Sequence, residues 1–184
     1  MNIMTLGEAR FPSPKHQFVN DSLRVPCNVV QGAPPSPDDG LLFEMAGPRE
    51  KLFFDPKKTR AGIVTCGGLC PGLNNVIRSL FLELHHAYGV KEVLGFRDGY
   101  QGLDPARCRE PLVLDTHFVD DIHKEGGTVL GTSRGPVDTN IAVDNLIKRG
   151  VNMLFTIGGD GTQRGGNDLF QEAKKRGHAM AVVG

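Results

Sequence analysis

An aspartate set between glycines, Gly158-Gly-Asp-Gly-Thr162, directly follows the apolar run Met153-Leu-Phe-Thr-Ile157 and precedes a helix-forming segment. Those residue types in that order are suited to holding a phosphate. Glycines let the main chain come close to an anion, a following helix presents unpaired N–H groups and a positive dipole end, and Asp160 can carry a magnesium ion. A second run repeats the arrangement. Ala61-Gly-Ile-Val-Thr-Cys66 reads as a buried strand that opens into Gly67-Gly-Leu-Cys-Pro-Gly-Leu-Asn-Asn75, again before an apolar-periodic helix. Two such turns in one domain point to a nucleotide.

The elements that must position these turns alternate regularly from residue 60 onward. The pattern predicts strands at 61–66, 91–96, 112–115, 128–130, 153–158 and 179–183, and helices at 72–88, 118–124, 138–149 and 163–176. Asp138 or Thr139 caps the third helix and Gly150 ends it, while Gly177 stops the fourth. Strands alternating with helices imply an α/β fold: a Rossmann-like, three-layer parallel sheet with helices on both faces and ligands at the carboxyl ends of the strands. Residues 1–58 read differently. Phe11-Pro-Ser-Pro14, Gly32-Ala-Pro-Pro-Ser-Pro-Asp-Asp-Gly40 and Gly47-Pro48 break any long element, so this stretch is expected as a proline-rich extension wrapped on the 59–184 domain. Leu41-Leu-Phe43 and Leu52-Phe-Phe54 could dock it or add short strands.

Composition narrows the partners. Lys plus Arg and Asp plus Glu each number 21 among 184 residues, so no net field points to nucleic acid or to an acidic membrane. The 24 glycines exceed the average usage of about 7%, and many sit in the turns described above. Four cysteines are too few and too irregular for a disulfide framework, and no Cys-x-x-Cys or histidine cluster completes a zinc site. Cys66 and Cys70 are expected as packing residues, and His85 and His86 as surface residues at a helix end. Without an apolar leader in the first 25 residues, or any window approaching the ~18 apolar residues that span a bilayer, a cytoplasmic location is expected.

Four segments together resemble the phosphofructokinases. They are Gly67-Gly-Leu-Cys-Pro-Gly-Leu-Asn-Asn75, Gly99-Tyr-Gln-Gly-Leu103, Gly126-Gly-Thr-Val-Leu-Gly-Thr-Ser-Arg-Gly135 and Gly158-Gly-Asp-Gly-Thr162, in the family's order and spacing. The similarity covers about residues 48–184 and the amino-terminal part of the family's fold. The leader resembles the extension of the long branch shared by plant, trypanosome and some bacterial enzymes. The resemblance implies an ATP-dependent 6-phosphofructokinase, which moves the γ-phosphoryl group of Mg·ATP to the 1-hydroxyl of fructose 6-phosphate in glycolysis. Carried over by position, Gly68 faces the nucleotide in the first turn and Arg134, with Gly135, contacts ATP. Gly159, Asp160, Gly161 and Thr162 match the loop on the β- and γ-phosphates, with Asp160 placing Mg²⁺. Gly161 stands where pyrophosphate-dependent relatives usually carry an aspartate, which implies ATP. The family's catalytic aspartate segment and its sugar-phosphate ligands are expected after Gly184, so the domain is read as incomplete, with no catalytic residue of its own. A homo-oligomer is expected of the full-length form.

Alternatives stand beside this reading. One is a pyrophosphate-dependent enzyme of the same family, and another is a non-catalytic nucleotide-binding or dimerising fragment. The NAD and lipid kinases share the Gly-Gly-Asp-Gly-Thr loop but lack the turn at residues 67–72. A dinucleotide oxidoreductase lacks its Gly-x-Gly-x-x-Gly signature here.

Overall fold

The computed structural model describes residues 5–30, 32 and 35–184. The chain divides into two compact units, Met1–Phe54 and Asp55–Gly184. In the first, β1 (Phe11–Pro12) pairs antiparallel with β4 (Lys51–Leu52), and β2 (Arg24–Pro26) with β3 (Leu42–Glu44). These strands are two or three residues long because proline removes ladder donors and confines pairing to short edges. Arg49 ties the unit together, donating to the Val19 carbonyl at 3.1 Å and pairing with Asp21 at 3.4 Å. Leu42 and Phe43 do form a strand, as the sequence allowed, although Phe43 stays exposed. Ala33 and Pro34 of the expected proline-rich break lie outside the described residues.

The second unit is built on a five-stranded sheet in the order β7-β6-β5-β8-β9: Leu112–Val113, Glu92–Phe96, Arg60–Thr65, Met153–Ile157 and Ala181–Val183. Four strands run parallel, and β7 at the edge is antiparallel to β6. The expected parallel sheet is present and carries one antiparallel edge strand. Strand period sorts the side chains. Ala61 and Ile63 of β5 meet α1 (Leu73–Leu82) through Ile77 and Phe81, while Val64 and Cys66 meet α3 (Thr139–Lys148) and α4 (Asp160–Lys175) through Leu146 and Leu169. The two apolar layers are nearly water-free: Ile63, Val64, Ile77, Phe81 and Leu146 have no exposed surface. Helices therefore cover both faces, as the sequence implied.

Three expected elements differ. The strand at 128–130 is a loop, because its backbone groups are taken elsewhere: the buried Asn74 accepts from Val129 N at 2.8 Å, and the Leu130 carbonyl accepts from Asp98 N at 2.8 Å. The helix at 118–124 splits into α2 (Thr116–Val119), capped by Asp115 on Phe118 N, and a separate 3-10 turn at Ile122–Lys124. The last helix starts three residues early, at Asp160, so Gly158-Gly-Asp-Gly is a helix entry rather than a free loop. Helix α1 continues through a π-helical turn, Glu83–Ala87, which brings His85 into a stack with Phe81 at 5.1 Å. Both histidines are exposed, as expected.

Candidate functional site

The chain leaves β5 toward β6 on one side and returns past it to β8 on the other, so the strand order reverses between β5 and β8. Crevices outside the carboxyl ends of strands at such a reversal are where open α/β sheets bind ligands. The two glycine turns follow these two neighbouring strands. They are joined directly: Cys66 N donates to the Ile157 carbonyl at 2.8 Å. A third segment closes the group, with Gly67 N donating to the Ser133 carbonyl at 3.2 Å and Thr132 Oγ1 to the Gly67 carbonyl at 2.8 Å.

The three segments enclose a cleft of about 550 Å³. Gly68, Arg134, Gly135, Gly159, Asp160, Gly161 and Thr162 all line it, so the structure brings together every candidate residue singled out in the sequence. Asp160 and Arg134 are exposed and have no hydrogen-bond or ion-pair partner among the described residues. The Asp160 and Gly161 amides, the first two of α4, have none either. Thr162 and Gln163 N–H already reach back to the Gly159 carbonyl at 2.8 and 3.1 Å, and Gly159 caps the helix without a side chain. Two unpaired amides at a positive helix end make an anion site.

The glycines divide into two kinds. A Cβ on Gly158 would lie 2.7 Å from the Cys66 carbonyl oxygen and in collision with Thr162 Oγ1, so that glycine is needed for packing. Gly68, Gly159 and Gly161 are different. A Cβ on any of them meets no atom within 4 Å, and none lies in the left-handed region, so neither packing nor backbone geometry requires glycine there. All three line the cleft and leave open space where a side chain would stand. That space, two free amides, the Arg134 guanidinium and the Asp160 carboxylate suit a phosphate chain carrying Mg²⁺. Mg²⁺ is typically held by one or two carboxylates plus substrate phosphates rather than by an all-protein cage. No group of three or more metal-ligating side chains occurs among the described residues.

Thr162 lines the cleft but is only 5% exposed, its hydroxyl lying beside Gly158. Cys66 is buried at the cleft wall, and loss of solvent pushes its thiol up to about 12. Cys70 is exposed, which corrects its expected packing role: the turn carrying it stands off the core. Ser133, Arg164, Asp168 and Tyr100 also line the cleft. Arg164 carried one legible signal, four residues after Asp160 on a helix and hence on the same face. Ser133 Oγ is buried without a hydrogen-bond partner. No helix among the described residues is long and apolar enough to cross a membrane.

Comparison with known proteins agrees with this geometry. The phosphofructokinase family pattern matches residues 60–184. The chain is 55% identical over 144 residues to the ATP-dependent 6-phosphofructokinase of Trypanosoma cruzi, covering 78% of this chain and 30% of that protein. It is 50% identical over 174 residues to the Entamoeba histolytica protein of the same name, covering 95% and 39%. It is 42% identical over 192 residues to that of Borreliella burgdorferi, covering 99% and 43%. The chain thus spans well under half the length of these relatives. Among solved structures, Pichia pastoris phosphofructokinase in the T-state is similar in fold, with TM-score 0.57 and 23% identity over 76% of this chain and 17% of that one. The pyrophosphate-dependent phosphofructokinase of Marinobacter aquaeolei likewise gives TM-score 0.57 at 16% identity, over 67% and 32%. By its sequence pattern and its fold alike, the chain belongs to the phosphofructokinase family.

Proposed function

We propose that this chain forms the phosphoryl-donor side of an ATP-dependent 6-phosphofructokinase. The reading is carried by three glycines, Gly68, Gly159 and Gly161, whose missing side chains leave space in a cleft that no feature of the fold requires. Relatives that share the sequence at up to 55% identity bear the name of the ATP-dependent enzyme, and Gly161 leaves room where an acidic side chain would obstruct the α-phosphate. The Asp160 and Gly161 amides and the Arg134 guanidinium would grip phosphate oxygens, Arg134 in its planar fork. Asp160 would hold the magnesium ion, which offsets negative charge on the transferring group. Fructose 6-phosphate as acceptor and a cytoplasmic, homo-oligomeric full-length enzyme complete the proposal.

Calorimetric titration of the chain with ATP, with and without Mg²⁺, tests the donor site. Asp160→Asn should weaken Mg·ATP about tenfold, roughly 1.4 kcal/mol, and metal-free ATP much less. Arg134→Ala should weaken both. A folded chain that binds no Mg·ATP at millimolar concentration, or binds it equally after both substitutions, overturns the assignment.

A further inference from the structure

Between β6 and β7 the chain forms a 3-10 turn, Gly99–Leu103, that carries Tyr100 under the cleft. Tyr100 is only 7% exposed, and its hydroxyl donates to the Thr162 carbonyl at 2.5 Å. Thr162 is the third residue of α4, directly after the two residues whose amides are free. The ring reaches that carbonyl because Gly165 and Gly166, on the face of the helix that it meets, have no side chains. A Cβ on Gly165 would stand 2.5 Å from Tyr100 Cε2, and one on Gly166 would stand 3.5 Å from the phenol oxygen and 3.1 Å from Thr156 Oγ1. Glycine inside a helix weakens it relative to alanine, so these two positions give up helix propensity where the tyrosine enters.

The turn itself is held from behind. The buried Asn145 of α3 donates through Nδ2 to the Leu103 carbonyl at 3.0 Å, and its Oδ1 accepts from Arg149 Nε at 2.9 Å. On the opposite side, a Cβ on Gly99 would lie 2.8 Å from Ser133 N, so the turn abuts the arginine-bearing segment of the cleft as well. Burial, and next the neighbouring Cys66 thiol, push the phenol well above its ordinary range, which keeps the hydroxyl protonated as a donor.

We propose that Tyr100 is a positioning residue: by donating to the Thr162 carbonyl it fixes the first turn of α4, and so aims the Asp160 carboxylate and the Asp160 and Gly161 amides into the cleft. The aiming of ligand groups rests on the donor-site reading above, whereas the hold on the helix does not. Tyr100→Phe keeps the ring and removes the donor. In the ligand-free chain, amide hydrogen exchange at Thr162 and Gln163, whose N–H groups bond the Gly159 carbonyl, should quicken by about tenfold, while the β5 amides of Ile63 and Val64 keep their rates. Mg·ATP affinity should fall about three- to tenfold in the same variant, with far-ultraviolet circular dichroism unchanged.

Unchanged exchange at Thr162 and Gln163 overturns the proposal. So does a uniform rise that includes β5, because Tyr100 would then be an ordinary core residue. Faster exchange at Thr162 and Gln163 with unaltered Mg·ATP affinity supports the hold on the helix and removes the donor-site reading on which the aiming of ligand groups depends.

Discussion

Gly158 and Gly161 are three residues apart and have opposite reasons to be glycine. At Gly158 a side chain would meet the Cys66 carbonyl at 2.7 Å, and at Gly161 it would meet nothing within 4 Å. Gly158→Ala should therefore destabilise the fold by about 1–3 kcal/mol, as overpacking does, with urea denaturation as the measurement. Gly161→Asp should leave the urea midpoint close to wild type, since an acidic residue in a helix first turn is tolerated, yet weaken ATP by tenfold or more, about 1.4 kcal/mol. Inorganic pyrophosphate should suffer less, having no α-phosphate to obstruct. If Gly161→Asp unfolds the chain, or leaves ATP affinity untouched, the cleft is not shaped by its ligand in the way argued above. The sequence exposed the glycine and carboxylate types directly, but it could not separate glycines kept for packing from glycines kept for space. Only the neighbours of each missing Cβ make that distinction.

At the scale of elements, long periodic segments were legible and short ones were not. Helices α1, α3 and α4 and strands β5, β6 and β8 lie within a few residues of their expected positions, because each carries a full stripe or run of apolar residues. The 128–130 segment has the β-branched composition of a strand and still forms a loop, since Asn74 and Asp98 capture its backbone groups from 55 and 32 residues away in sequence. No local pattern reports a partner at that distance. Asn74 is 1% exposed, donating to the Glu125 carbonyl at 3.0 Å and accepting from Val129 N at 2.8 Å. Asn74→Ala would leave both groups without their partner, and a loss of about 1–3 kcal/mol is expected. Limited proteolysis should find the 125–131 loop opened first. The start of α4 was misread for a related reason: glycine counts as a helix breaker in sequence, but the Gly159 carbonyl takes two helix amides and lets Asp160 begin the turn.

For the whole molecule, stability should fall in alkali. Cys66 and Tyr100 are both neutral when protonated and both raised by burial, Cys66 from near 9 to about 12. A raised folded value means that the native state holds the proton more tightly, so the contribution is complete below pH ~9 and disappears as pH climbs toward 12. Urea midpoints measured from pH 8 to pH 12 should decline across that window, and Cys66→Ala should flatten part of the decline. The sheet that buries these groups also fixes an order of assembly. Its middle strand, β5, is flanked by β6 about thirty positions later but by β8 only some ninety positions later, Ala61 lying opposite Met153. A ribosome therefore releases this buried central strand long before its second neighbour exists. Until residue 157 has emerged, one flank of that strand stays open to any passing β-segment, which makes the interval of synthesis between these strands the moment when a nascent chain of this kind is most in need of a chaperone.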